Sequence, residues 1–174
     1  MKYLFLLSTL IFTSNFVNAQ NASPEQKLKR LGIELPEIAP PIANYLDVVR
    51  SGNLLFLAGK GSRNPDGSRI TGKVGIDLTK EEGYGAAKSI ALQHLAVIKK
   101  EIGDLNKVVR IVKVLGMVNA PSDFTAHSQI INGYSDFMVE IFGEKGKHAR
   151  SAVGMNSLPV NLAVEIEVIV EIRD

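Results

Sequence analysis

The chain of 174 residues contains no cysteine, so disulfide bridges, thiolate nucleophiles and sulfur ligation of a metal are excluded. That absence leaves the compartment open, because an exported protein need not use disulfides. A surplus of charge of one sign is missing too: 20 lysines and arginines stand against 18 aspartates and glutamates. Bulk electrostatics therefore gives no pull toward nucleic acid. The three histidines, His94, His127 and His148, are scattered without the spacing of a metal site, and no phosphate-binding loop occurs. No metal and no organic cofactor is expected.

One short apolar run is present, Tyr3 to Phe12 behind Met1-Lys2, and Val17-Asn18-Ala19 follows it with small residues at cleavage spacing. The run is shorter than the roughly 20 residues a membrane-spanning helix needs. The pattern predicts a signal peptide over residues 1–19, cut after Ala19, hence a periplasmic or secreted protein with no membrane attachment once cleaved. Cleavage takes 19 of 174 residues and leaves 155, with 19 basic against 18 acidic side chains. That is the length of one domain with a normal core. Residues 20–41, polar and then proline-rich at Pro36, Pro40 and Pro41, read as an N-terminal arm with a short helix and an extended lead-in. Residues 42–174 carry the domain.

Within it, Tyr45 to Val49 and Leu54 to Ala58 flank the turn Ser51-Gly52-Asn53 and read as a β-hairpin. Lys60 to Lys73, centred on Asn64-Pro65-Asp66-Gly67, is a turn-rich loop, followed by a short strand at Val74-Gly75-Ile76. Thr79 and Glu82 form a capping box that opens a helix closed by Gly103. Its apolar face comprises Ala87, Ile90, Ala91, Leu95, Ile98 and Ile102, at intervals of three and four. Val108 to Val118 reads as a long strand. A second helix is expected from Ser122 to Phe142, presenting Phe124, Ile131, Tyr134, Met138 and Ile141, with strands at Ala149 to Met155 and Leu162 to Ile172. The glycine of Asn132-Gly133 costs a helix roughly 1 kcal/mol and marks a kink or a close backbone approach. The fold class is α+β: a mixed sheet with two helices packed on one face.

In the last strand the even positions are all apolar and suit the helix-covered side, so Glu165 points away from the helices. Leu54 to Leu57 are apolar on both sides, which implies that the second face of the sheet meets another subunit. The run Ala149-Arg150-Ser151-Ala152-Val153 and the run Val164-Glu165-Ile166-Glu167 each put one charge into a segment that otherwise reads as buried. An uncompensated buried ion costs several kcal/mol in rough terms. Arg150 and Glu165 therefore either pair with each other or await a ligand.

Tyr45, the segment Gly52 to Gly59, the second helix, the Arg150 run, Leu158-Pro159 and Val164-Glu165-Ile166-Glu167 follow one another in an order that resembles the Rid family, the reactive intermediate deaminases also called YjgF or L-PSP endoribonuclease-like proteins. The resemblance spans roughly Ile42 to Arg173. It implies a chorismate-mutase-like fold assembled as a homotrimer with clefts between subunits. It further implies that Arg150 holds the carboxylate of a small metabolite and that Glu165 places the attacking water. Gly59, Ala152, Tyr45 and Asn132 would complete the cleft. Departures from the family pattern are Ala43-Asn44 where many members have Gly-Pro, Lys60 where they often have glutamine, Ala152 where cysteine is common, and the loop Gly61 to Gly72.

The implied activity is hydrolysis of 2-imino acids to 2-oxo acids and ammonia. A guanidinium offers two parallel donors to a carboxylate, and Glu165 would accept the proton of the water attacking the imine carbon. Two other functions fit the same residues: a non-enzymatic trimer that binds small carboxylates, and an endoribonuclease-like RNA-binding protein drawing on the basic cluster Lys145, Lys147, His148 and Arg150.

Overall fold

The computed structural model of the protein describes residues 22–38 and 43–174. The signal peptide expected over residues 1–19 lies outside the described residues. The elements are α1 (Pro24–Arg30), β1 (Val48–Ser51), β2 (Leu54–Gly61), α2 (Lys80–Ile102), β3 (Val108–Asn119), α3 (His127–Phe142), β4 (Ala149–Met155) and β5 (Val164–Ile172). The five strands form one sheet in the order β1-β2-β5-β3-β4, with β3 and β4 parallel and every other pair antiparallel. The fold is the mixed α+β arrangement expected.

Local chemistry accounts for most boundaries. Ser23 and Gln26 make a capping box at α1, which sends Leu28 into the core. Thr79 accepts the Glu82 N–H at 3.1 Å, and the Glu82 carboxylate accepts the Thr79 N–H at 2.7 Å. Both satisfy backbone donors that a helix start would otherwise leave unbonded. Gly103 closes α2 at φ 78°. The face of α2 read from its spacing is the buried one: Ala87, Ile90, Ala91, Leu95 and Ile98 are all fully covered.

Three boundaries differ from expectation. Val74-Gly75-Ile76 is a turn: Gly75 sits at φ 98°, which breaks an extended run, and Val74 meets Leu78 only as an isolated bridge. The first strand begins at Val48, so Tyr45 precedes it. The second helix starts at His127 rather than Ser122. Residues Pro121 to Phe124 turn instead, with Phe124 N–H donating to the Pro121 carbonyl at 3.1 Å. The Phe124 ring then packs edge-on against His127 and lies beside Gly75, and this tertiary contact outweighs local helix preference.

In β5, Val164, Ile166, Val168, Val170 and Ile172 are buried in the core on the side of α2, while Glu165, Glu167, Ile169 and Glu171 face the other way. In β2, Leu55 and Leu57 are buried, whereas Phe56 is 42% exposed. Register aligns Val49, Phe56 and Ile169 across three strands on that open face, and Val153 joins them from β4. The uncovered face thus carries Val49, Phe56, Ile169 and Val153 beside Glu165, Glu167 and Glu171, so the apolar second side read from Leu54 to Leu57 is present in β2 and mixed with charge in β5.

The interval Asn132-Gly133 turns out to be a close approach. A Cβ on Gly133 would sit well inside contact distance of the Tyr84 carbonyl oxygen of α2. Backbone cannot yield as a flexible side chain does, so Gly133→Ala is expected to destabilise the fold by about 3 kcal/mol, the upper end of overpacking penalties. Urea unfolding of the two proteins measures it, and an unchanged midpoint would remove this packing account.

Candidate functional site: two half-sites on opposite faces of the sheet

β4 is an edge strand, and its parallel register sets Arg150 beside Val114 and Ala152 beside Gly116. Val114 is buried under the helices, so Arg150 and Ala152 point to the helix side, where α3 is the outermost cover. Ser128, Asn132 and Ser135 recur on α3 at intervals of four and three, which places them in one stripe toward β4. Arg150 Nη1 donates to Asn132 Oδ1 and to Ser135 Oγ, each at 2.9 Å, and Nη2 reaches the Ser128 carbonyl at 3.4 Å. All three acceptors are neutral. Among the described residues the ion pairs are Arg50–Asp174, Lys60–Asp47 and Lys147–Glu144, so no carboxylate neutralises Arg150.

Both hydrogens of Nη1 are thus used, and among the described residues nothing accepts from Nε. Nε–H and one Nη2 hydrogen are left over, two donors on the guanidinium for the two oxygens of a carboxylate. Asn132 and Arg150, linked before only by resemblance, are in direct contact. Ser128 and Ser135 were missed in the sequence. The signal for Ser135 is its three-residue spacing from Asn132 on one helix, whereas Ser128 contributes its backbone carbonyl, which no side-chain pattern reveals.

Glu165 belongs to the other face. It stands on β5, with Gly61 of β2 and Met117 of β3 as its register partners. β3 separates β5 from β4, so the two charged runs are not neighbours, and one protomer's Arg150 and Glu165 point to opposite sides of one sheet. The internal ion pair is therefore ruled out by topology. Half-burial pushes the Glu165 carboxyl above its usual range, and the nearby Glu167 charge adds to that push. A raised value makes the ionised form the better proton acceptor.

Gly59 lies directly against this carboxylate. A Cβ there would collide with Glu165 Oε1, and the strand shifts register between Leu57 and Lys60, so only glycine lets the backbone pass. Tyr45, 50% exposed, lies two residues before Asp47, whose carbonyl accepts the Ala58 N–H at 3.0 Å. It therefore borders the same bend, where Lys60 and Asp47 form an ion pair. A hollow of about 170 Å³ on this face is lined by Phe56, Lys113, Leu115, Glu167 and Ile169. A wider groove of about 580 Å³ lies by α1, around Glu25 and Ile33, and includes neither Arg150 nor Glu165.

The histidines divide. His94 is fully buried, with Nδ1 3.0 Å from the Tyr134 hydroxyl and Nε2 3.4 Å from the Ala58 carbonyl. His127 stacks edge-on against Phe124. His148 alone reaches the Arg150 cluster, through Ser135. Lys145 donates to the Val108 carbonyl and Lys147 pairs with Glu144, so the basic residues around Arg150 do not form one cationic track.

The sequence profile of the YjgF/chorismate mutase-like endoribonuclease family matches residues 25–172. Protein TCP17 of Trypanosoma cruzi is 43% identical over 148 residues, which cover 84% of this chain and 92% of that protein. A RutC family protein of Pyrococcus abyssi is 31% identical over 134 residues, covering 76% of this chain and 91% of that one. Among solved structures, a protein of unknown function from Agrobacterium tumefaciens superposes with a TM-score of 0.79 at 41% identity, over 86% of this chain and 94% of the other. Sequence and fold agree over nearly all of the described residues, and the chain belongs to the YjgF/chorismate mutase-like endoribonuclease family.

Proposed function

We propose that the protein is a homotrimer that hydrolyses reactive 2-imino acids to 2-oxo acids and ammonia in clefts shared by neighbouring protomers. One observation carries the reading: Arg150 is held by three neutral acceptors with two donors left over. A cation fixed in place yet not neutralised is the arrangement that grips a carboxylate at low entropic cost. Because Glu165 lies on the opposite face of the same sheet, a complete site takes Arg150, Asn132 and Ala152 from one protomer and Glu165, Gly59 and Tyr45 from the next. The apolar open face around Phe56 and Val153 supplies the contact that brings protomers together.

In such a cleft the Nε–Nη2 edge orients the imino acid through its carboxylate. Glu165 accepts a proton as water attacks the imine carbon. The resulting carbinolamine releases ammonia and leaves the 2-oxo acid. The test supplies the mature protein with freshly generated 2-aminoacrylate or a branched imino acid and follows release of ammonia or 2-oxo acid. No acceleration with any imino acid would reject the deaminase reading and leave a carboxylate-binding trimer. Glu165→Gln, which keeps the shape and removes the base, is expected to lower kcat about 100-fold, the lower end of general-base contributions, with KM little changed.

Export is part of the same reading. N-terminal sequencing of the protein recovered from its producing cells is expected to start at Gln20, and an N-terminus at Met1 would reject the leader.

A further inference from the structure

His148 reaches Arg150 through one hydroxyl, and the direction of each hydrogen bond in that chain follows from its far end. His148 Nδ1 lies 2.7 Å from the Gly146 carbonyl oxygen. A carbonyl only accepts, so Nδ1 carries the proton and Nε2 of the neutral ring is an acceptor. The Ser135 hydroxyl, 3.0 Å from Nε2, must then donate to it. Its oxygen lone pairs are left to accept from Arg150 Nη1 at 2.9 Å. Reversing any one bond would set two donors or two acceptors against each other.

We propose that His148 is a positioning residue which, by orienting the Ser135 hydroxyl, holds Nη1 against α3 and turns the Nε–Nη2 edge of Arg150 outward as the only bidentate face for a carboxylate. The inference rests on reading Arg150 as a carboxylate anchor. It adds that the anchor's orientation is set by the Gly146–His148–Ser135 chain rather than by Asn132 alone. Without the histidine acceptor nothing fixes the Ser135 rotamer that aims its oxygen at Nη1, and the guanidinium can swing to present either of two edges. Burial and the Arg150 charge both hold the imidazole below its ordinary range, which keeps it in the neutral form the chain requires.

Two substitutions separate the contacts of the ring. In His148→Gln the side-chain amide reaches the position of Nε2 and can accept from Ser135. In His148→Asn it reaches the position of Nδ1, keeping the Gly146 contact and losing Ser135. Binding of 2-oxobutanoate, followed by calorimetry on the full-length oligomer, is expected to weaken about tenfold in His148→Asn and in Ser135→Ala but to stay within about twofold in His148→Gln. Equal losses in the glutamine and asparagine variants, or no loss in either, overturn the proposal. A second measurement needs no ligand: hydrogen exchange of the Arg150 guanidinium protons by nitrogen-15 NMR. Slow exchange at Nη1 in the parent and His148→Gln, lost in His148→Asn, supports the chain; exchange indifferent to the substitution overturns it. Should the parent bind no 2-oxobutanoate while Nη1 stays protected, the carboxylate reading fails and the positioning chain stands.

Discussion

Mixed oligomers of Arg150→Ala and Glu165→Gln protomers are expected to recover about a quarter of the parental imino acid hydrolysis, although each variant alone is nearly inactive. Arg150→Ala removes the proposed charge-assisted two-point contact and should cost about 100-fold or more in kcat/KM, in line with about 2–5 kcal/mol for such pairs. Glu165→Gln removes the proposed base. In the proposed ring of protomers each cleft would draw its arginine from one chain and its glutamate from the next. A cleft is whole only when a Glu165→Gln protomer supplies Arg150 and an Arg150→Ala protomer supplies Glu165. With random equal mixing that occurs at about one cleft in four. The measurement is activity after the two variants are co-expressed or mixed under conditions that exchange subunits, with oligomer size monitored. Activity no higher than that of the separate variants, in oligomers shown to be mixed, would place both groups within one chain and contradict the sheet topology. A stable monomer in solution would end the shared-cleft proposal directly.

Acid lability is the second large effect. Burial drives the His94 imidazole down to about 3, with the Ala58 carbonyl opposing that shift and the Lys60 charge reinforcing it. The ring stays neutral in the native state. Its Nε2–H points to the Ala58 carbonyl, and Nδ1 accepts from the Tyr134 hydroxyl, itself buried and shifted well above its ordinary value. In the unfolded chain the same imidazole protonates near its ordinary 6.5. Below that pH the unfolded state binds a proton that the native state refuses, so stability is complete above about 6.5 and falls as pH falls toward 3. The slope from this single group approaches about 1.4 kcal/mol per pH unit.

Other groups modify that slope without reversing it. His148, depressed mainly by burial, acts in the same sense. Glu165 acts in the opposite sense, because its raised carboxyl favours the protonated native state near and above 4.5. Urea unfolding at pH 7.5, 6, 5 and 4 tests the account against the double variant His94→Leu/Tyr134→Phe, which removes the titrating ring together with the hydroxyl bonded to it. The double variant should show a pH slope shallower by about one proton's worth. An identical slope would mean that His94 does not govern acid stability.

Much of the architecture is legible residue by residue. The two-residue period of Val164 to Ile172 names the covered face of β5, the Thr79-Glu82 capping box marks the start of α2, and the spacing of Ala87 to Ile98 names the face it buries. Each of these is a short-range rule, in which the partner is at most four residues away or the repeat is visible in one segment. The start of α3 escaped the same logic because Phe124 is claimed by a contact with His127 and Gly75 rather than by its own helical neighbours.

The candidate site divides along the same line. Arg150 and Glu165 stand out as charges in apolar runs, and the face of Glu165 follows from strict alternation. The face of Arg150 does not, since Arg150-Ser151-Ala152-Val153 has no clear period of two. Its direction emerges only when β4 docks parallel to β3 with Arg150 beside buried Val114. Likewise, no local pattern says that β5 inserts between β2 and β3 and leaves β4 at the edge. Pattern and capping chose the elements and their buried sides, because those are decided by neighbours along the chain. Strand order, register and the neutral stripe that holds the guanidinium were decided by contacts between distant segments, and these alone put the cation and the carboxylate on opposite faces.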